Sequence, residues 1–214
     1  MYLFSRRARL ATLDAFEWAV NITGAAGAAL GSPVELWGNT LSPAFGTVSW
    51  TSWWPDLTSL EAGLAKLGAD GAYNELAAQG SDLIEGVVDD TLYSTVSGGP
   101  AAPGEPGADG GPQYVNGVTA VCAGGNLARA MTAGVEIATR AEAITGVPTM
   151  FVRQMTGAYS GVAWLTGFPD LGAYESSMDK LASDPGWLTL LDSTDGCFVE
   201  DAALTQSTVY GKLA

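Results

Sequence analysis

The hydrophobic pattern divides the chain into two similar series of elements. Residues 2–10 alternate apolar and polar side chains, which predicts a strand, and residues 13–30 carry apolar side chains at helical spacing. Two more strands, an Asp-capped helix and a long last strand follow, up to residue 96. The same order returns from residue 114 to residue 210. Strand, helix, strand, strand, helix, strand is the order of a ferredoxin-like α+β unit with an antiparallel sheet.

One stretch of the chain occurs twice. Residues 46–70 and 160–184 align without a gap at an offset of 114 and share nine of 25 residues, where typical residue usage gives about two by chance. The sequence therefore predicts an internal duplication with two units, residues 1–97 and 113–214. Between them, residues 98–112 are rich in Gly, Pro and Ala without periodicity, which predicts a linker.

Composition narrows the classes of function. The net charge is −14 and 47% of the residues are hydrophobic, so we expect a globular, cytoplasmic protein that binds neither nucleic acid nor anionic membranes. The chain has no histidine, which is the commonest general base near neutral pH and the commonest metal ligand. We therefore expect no metal site and no cofactor. The two cysteines, Cys122 and Cys197, are expected to be reduced and part-buried, as is usual in the cytoplasm.

The repeated stretch resembles the signature of the antibiotic biosynthesis monooxygenase family, within the dimeric α+β barrel superfamily. The resemblance is carried by Trp50…Asp56-Leu-Thr-Ser-Leu-Glu-Ala-Gly63 and by Trp164…Asp170-Leu-Gly-Ala-Tyr-Glu-Ser-Ser177. In that superfamily two chains usually pair their sheets into a barrel. The resemblance thus implies two tandem ferredoxin-like βαββαβ units, packed within one molecule as a dimeric α+β barrel. It also implies a binding site for a small apolar or aromatic molecule.

The chain departs from the family at the positions that carry chemistry. Gly63 and Ser177 stand where the family commonly has a helical histidine, and Gly46 and Ser160 where its cofactor-free oxygenases tend to have an asparagine. No catalytic residue is therefore assigned. Two functions remain open: a cofactor-independent oxygenase or isomerase, and a non-catalytic structural or assembly module built on the same fold.

A pocket is expected in the second unit because its residues look smaller. At the offset of 114, Ala130 replaces Phe16, Gly134 replaces Val20, and Gly117 stands opposite Leu3. The residues expected to bind the ligand are Asn116, Arg153, Tyr159, Trp164 and Tyr174, with Trp50 as the counterpart of Trp164. The alternatives are that both tryptophans only pack the core, that neighbouring large residues fill the volume, and that Arg153 is an exposed partner of a carboxylate.

Two further clusters stand out. Arg6, Arg7 and Arg9 lie in one strand, and salt bridges to Asp89 and Asp90 of the last strand of the unit are expected in preference to an anion site. Trp53 and Trp54 are adjacent and large, and are expected either to pack under the linker or to form a contact between molecules in a homo-oligomer.

Overall fold

The computed structural model describes residues 1–42, 46–99 and 111–214. The first half (residues 1–97) contains β1 (Tyr2–Leu10), α1 (Ala15–Leu30), β2 (Glu35–Leu41), β3 (Thr47–Trp54), α2 (Leu57–Ala69), α3 (Gly71–Gln79), a 3-10 turn (Gly80–Asp82) and β4 (Ile84–Ser97). The second half (residues 113–214) contains β5 (Tyr114–Val121), α4 (Leu127–Thr145), β6 (Thr149–Gln154), β7 (Gly161–Phe168), α5 (Leu171–Ser183), α6 (Pro185–Ser193) and β8 (Gln206–Lys212). Most of the predicted linker, residues 100–110, lies outside the described residues.

The eight strands form one closed antiparallel barrel. Their order around it is β1-β3-β2-β8-β5-β7-β6-β4. The last strand of each half joins it to the other half, because β4 pairs with both β1 and β6, and β8 pairs with both β5 and β2. The prediction of an α+β fold with antiparallel strands closing into a barrel is therefore confirmed. The last strand is shorter than predicted, since Phe198 makes only an isolated bridge to Cys122 and β8 begins at Gln206.

The two faces of the barrel strands have different chemistry. Residues paired across neighbouring strands point to the same side, so Arg6, Trp50 and Leu36 lie together on the face that the helices cover. The opposite face lines the barrel interior and is largely polar. There, the Trp37 indole donates to Thr51 Oγ1 over 3.0 Å.

The barrel interior also holds charged and phenolic groups. Lys212 Nζ lies 2.9 Å from Glu35 Oε1 across the seam between β2 and β8. Burial raises the pKa of Tyr210, although neighbouring Arg7 opposes the shift. The interior is thus stabilised by polar contacts, whereas the apolar core lies outside the barrel, under the helices.

Aspartates begin the helices that follow β3 and β7, as predicted. Asp56 Oδ1 accepts a hydrogen bond from the backbone N–H of Ser59, and Asp170 Oδ1 accepts one from Ala173, each over 2.7 Å. These bonds satisfy N–H groups that have no partner inside a helix. The hydrogen bond from Ser59 also lowers the pKa of the Asp56 carboxyl.

The apolar spacing predicts an inward stripe of Leu13, Phe16, Val20 and Thr23, and of these Thr23 is buried as predicted. Leu13 and Val20 are exposed, whereas Ala15, Trp18 and Ile22 are buried against the sheet. The reason is that α1 is apolar on most of its surface, so hydrophobic spacing does not fix which face turns inward.

Matching backbone geometry shows that the two halves do not align at a single offset. Both α1 and α4 end in a left-handed glycine, Gly31 and Gly146, which are 115 residues apart. This offset places Ala130 opposite Ala15, and both are fully buried. The pairing of Phe16 with Ala130 is therefore wrong by one residue.

The same shift changes the comparison at Gly134, which lies opposite Ala19 and not opposite Val20. In the first strands the offset is 112, because Ala8 pairs with Val48 as Ala120 pairs with Val162.

A phenylalanine occupies the space that was expected to form a pocket in the second half. Phe151 of β6 is fully buried, and a Cβ atom added at Gly134 of α4 would overlap its ring. The ring stacks on Trp164 with 5.1 Å between centroids. Gly134 therefore permits close packing of α4 on β6 and does not mark a void.

Replacing Gly134 with alanine is expected to lower the free energy of unfolding by about 1–3 kcal/mol, because the new methyl group must displace the Phe151 ring. Gly24 of α1 offers a matched control, since a Cβ atom there meets nothing within 4 Å. Gly24→Ala is expected to raise stability by about 0.5–1 kcal/mol through the better helix propensity of alanine. Urea unfolding of both variants makes the comparison, and equal effects would contradict it.

Candidate functional site

A cavity of about 200 Å³ lies in the first half, between the helix-facing side of the sheet and helices α1, α2 and α3. Aromatic side chains from four elements form its wall: Phe4 of β1, Trp18 of α1, Trp50 and Trp54 of β3, and Tyr73 of α3. Leucines of α2 close one side, and of these Leu64 is also exposed to solvent. The site is thus a concave, mainly apolar chamber beside an aromatic sheet surface.

The three tryptophans present carbon surface to this cavity because their indole N–H groups are bound within the protein. Trp18 donates to the Leu76 carbonyl over 2.8 Å, and Trp54 donates to Ser52 Oγ over 2.8 Å. Trp50 donates to Thr23 Oγ1 over 2.9 Å. The Trp18 and Trp50 rings meet edge to face with 6.0 Å between centroids, an arrangement that aromatic pairs favour.

One end of the cavity is polar. The Arg6 guanidinium binds both carboxylate oxygens of Asp90, with Nε–Oδ1 at 2.8 Å and Nη2–Oδ2 at 2.7 Å. Its Nη1 donates to Tyr73 Oη over 3.3 Å. The hydrogen bond with Asp90 raises the pKa of Arg6 despite partial burial. We call Arg6 and Tyr73, which line the cavity, together with Asp90, which binds Arg6, the polar end of the cavity.

The expected salt bridges of the arginine-rich strand are confirmed for Arg6 and Asp90. Arg9 pairs instead with Glu85, with 3.1 Å between Nε and Oε2.

Of the residues expected to bind a ligand, Trp50 lines this cavity and the others lie elsewhere. Trp164 is buried between Phe151, stacked on its ring, and Phe198, whose ring meets it edge to face. Its indole donates to the Gly134 carbonyl over 2.8 Å. In the second half, aromatic rings therefore cover Trp164, whereas the corresponding Trp50 of the first half faces the cavity.

The remaining expected residues are dispersed over the second half. Asn116 is buried on β5 and accepts a hydrogen bond from Ser207. Arg153 is exposed and donates to Ser94 Oγ across the seam between β6 and β4. Tyr174 packs edge to face on Phe168, and Tyr159 is 93% exposed in the turn before β7. The structure does not bring these four side chains into one chamber.

The adjacent tryptophans separate onto the two faces of β3. Trp54 is buried in the cavity wall, where it covers Gly63 of α2 so closely that an added Cβ atom would overlap its ring. Trp53 is half-buried on the other face, opposite Leu3. A contact between molecules through Trp53 stays a prediction, whereas Trp54 belongs to the cavity.

Sequence reasoning missed Trp18 and Tyr73. Trp18, Ile22, Ala26 and Leu30 follow one another at four-residue spacing, and all four line the cavity. That spacing was a usable signal, but the apolar character of the whole helix concealed it. The signal for Tyr73 was weaker. It is the third residue after Asp70, which caps α3 by accepting a hydrogen bond from the Tyr73 backbone N–H.

Both cysteines are buried and free, and they lie in the core of the second half. Burial raises the pKa of the Cys122 thiol. In the ranges that the structure describes, no helix has the length and apolar character needed to cross a bilayer.

No family model and no curated protein sequence matches the chain. Several solved structures, however, match its fold. A proposed monooxygenase from Fusobacterium nucleatum has a TM-score of 0.70 at 8% identity, with 100% of this chain and 92% of that chain covered. An anthrone oxidase-like protein has a TM-score of 0.67 at 11% identity, with 100% and 91% covered. The fold is that of the monooxygenase-like α+β barrels.

A second proposed monooxygenase, from Lactobacillus acidophilus, shares this monooxygenase-like fold with a TM-score of 0.61 at 10% identity, and the alignment covers 99% of this chain and 93% of that one. The α+β barrel fold that the resemblance of the Trp50 and Trp164 stretches implies is thereby confirmed. Because all three identities are low, the similarity establishes the architecture alone.

Replacing Thr23 with valine tests the anchoring of Trp50 in the monooxygenase-like barrel. Loss of the hydroxyl acceptor is expected to lower the free energy of unfolding by about 0.5–1.5 kcal/mol and to shift the NMR signal of the Trp50 indole N–H. Thr139→Val on α4 is the control, because Thr139 Oγ1 bonds the Val135 carbonyl on an exposed surface in the same helical geometry. Equal stability of the two variants would contradict this role of Thr23.

Proposed function

We propose that the protein binds a small aromatic molecule in the cavity of the first half, and that it acts on this molecule as a cofactor-independent oxygenase or isomerase. The observation that carries the proposal is the cavity beside Trp50, walled by three tryptophans whose polar atoms are already bound. Flat aromatic molecules pack well on such surfaces, since rings stack and meet edge to face with a favourable energy.

The volume suits a ligand of one or two rings. An engineered apolar cavity of about 150 Å³ binds benzene, and the present cavity has about 200 Å³. The solvent-exposed position of Leu64 and Val88, both of which line the cavity, supplies an opening between α2 and β4. A ligand therefore has both a fitting chamber and a route into it.

The chemistry that we propose uses the acidity of the substrate. Asp90 is engaged on both oxygens by Arg6, so it is a poor candidate for a general base. A substrate with an activated C–H group beside a carbonyl, or a quinol, loses a proton easily and then donates electrons to O2. Conversion of an activated CH2 group to a carbonyl with release of one water balances with one O2, and so does conversion of a naphthohydroquinone to a hydroxynaphthoquinone with release of one water. Neither reaction needs a cofactor.

We also propose that the barrel is an intramolecular dimer of two ferredoxin-like units that arose by duplication. The repeated sequence at 46–70 and 160–184 supports this origin. So does the matching order of elements in the two halves, in which β1-β3-β2 and β5-β7-β6 follow one another in the same way.

Filling the cavity tests the proposed function. Ala77 of α3 lines the cavity, whereas neighbouring Ala78 is exposed. Ala77→Trp is expected to abolish both the binding of a naphthohydroquinone probe, followed by quenching of tryptophan fluorescence, and any O2 uptake above autoxidation, followed with an oxygen electrode. Ala78→Trp on the same helix is expected to retain both activities.

The outcomes separate the candidate functions. Binding with O2 uptake and insertion of one oxygen atom into the product supports the oxygenase, whereas release of H2O2 or binding without turnover of quinol and polyphenol substrates removes the oxygenase from the proposal. Equal binding of the probe by the wild type and by Ala77→Trp would refute the site, whereas absence of both binding and O2 uptake in the wild type would favour the non-catalytic structural module.

A further inference from the structure

We infer that the cavity selects a ligand with an uncharged hydrogen-bond acceptor, such as the carbonyl oxygen of an aromatic ketone or quinone, and disfavours carboxylates of the same shape. This inference rests on the proposed function, because it specifies the chemistry of the ligand that the cavity holds. It is carried by the hydrogen-bond state of the polar groups in the cavity wall.

Two hydroxyl groups of the cavity wall, those of Tyr73 and Ser52, can donate a hydrogen bond to a ligand. The oxygen of the Tyr73 hydroxyl already accepts from Arg6, and that of the Ser52 hydroxyl accepts from Trp54. In the part of the chain that the structure describes, neither hydroxyl donates to a protein acceptor. Each therefore retains its own hydrogen for a ligand, and a hydroxyl hydrogen calls for an acceptor.

The positive charge of Arg6 at the polar end is balanced by Asp90. Arg6 is the one cationic side chain among the described residues of the cavity wall, and Asp90 binds it through two parallel hydrogen bonds. This geometry is the strong, bidentate form of the arginine–carboxylate pair. The polar end is consequently neutral overall. A second carboxylate would lose its hydration without meeting an uncompensated cation, and it would be repelled by Asp90.

The second half of the chain shows which residues take the places of Arg6 and Tyr73 when the fold is repeated. Arg6 pairs with Trp50 across the sheet, as Val118 pairs with Trp164. Asp70 caps α3 through the backbone N–H of Tyr73, as Asp184 caps α6 through that of Trp187. Val118 and Trp187 thus take the places of Arg6 and Tyr73.

In the second half, Phe151 and Phe198 cover the tryptophan that corresponds to Trp50. The polar end therefore accompanies the open cavity and is replaced by apolar side chains where rings cover the sheet. This coincidence indicates that Arg6 and Tyr73 serve the contents of the cavity, since the fold of the other half forms without them.

Three probes of nearly equal shape test the inference: acetophenone, benzoate and isopropylbenzene. They present a neutral acceptor, an anion and no polar group, and benzoate is fully ionised at pH 7 because carboxylic acids of this kind have a pKa of about 4. Dissociation constants are measured by NMR titration of the tryptophan indole N–H signals in the intact protein. Acetophenone is expected to bind about fivefold more tightly than isopropylbenzene, and benzoate more weakly than either.

Two variants assign the selectivity to the polar end. Tyr73→Phe is expected to remove most of the advantage of acetophenone over isopropylbenzene while leaving isopropylbenzene unchanged. Asp90→Asn frees the charge of Arg6 and is expected to raise the affinity for benzoate about tenfold, because a charge-assisted hydrogen bond then becomes available. This gain is a readout that simple loss of stability does not produce.

The results distinguish failure of this inference from failure of the proposed function. If benzoate binds the wild type as tightly as acetophenone, or if the preference for acetophenone survives in both Tyr73→Phe and Ser52→Ala, the inference is overturned while the cavity remains a binding site. If isopropylbenzene and the other two probes leave every indole signal unshifted, the proposed binding function fails and the inference fails with it.

Discussion

Every strand of the barrel has a hydrogen-bonded neighbour on both sides. This closure depends on two pairings between the halves, that of β4 with β6 and that of β8 with β2. An isolated half would expose the edges of two strands, each a row of unpaired N–H and C=O groups. It would also expose the polar interior, where Lys212 of one half meets Glu35 of the other. The two halves thus satisfy each other's backbone, and neither has a complete sheet alone.

Closure in turn decides where apolar side chains go. With the barrel interior occupied by Trp37, Tyr210, Lys212 and their polar partners, the helices cover the outer face of each sheet, and the apolar clusters form there. The cavity belongs to this outer layer. Its existence depends on the local fit of three helices on one sheet, and that fit differs between the halves because Phe151 fills the space under α4.

Much of the fold was predictable from the sequence, because it depends on patterns that recur. Alternation along β1, the aspartates at the starts of α2 and α5, and the repeated Pro-Asp-Leu stretch predicted the observed order of elements, and the resemblance to the dimeric α+β barrel superfamily implied the closed antiparallel barrel. These features are local, and several occur in both halves of the chain, so the pattern in one half supports the prediction made for the other.

The candidate site was less accessible to sequence reasoning, for physical reasons. A single offset of 114 ignored small differences in loop length, and one residue of error on a helix turns a side chain by about 100°. Gly134 therefore looked like a void when it is the contact point for Phe151. Trp50 lines the cavity, whereas Trp18 and Tyr73 come from elements far apart in sequence that only the tertiary structure brings to the same chamber.

The position of the cavity outside the barrel has a consequence for motion. Local openings of a protein cost less free energy than global unfolding when they break few buried contacts. Here the exposed side chains of Leu64 and Val88 border the chamber, so we expect α2 and α3 to open at a lower free energy than the closed ring of strands. Entry and release of the proposed ligand would then proceed without opening the barrel that keeps the whole chain folded.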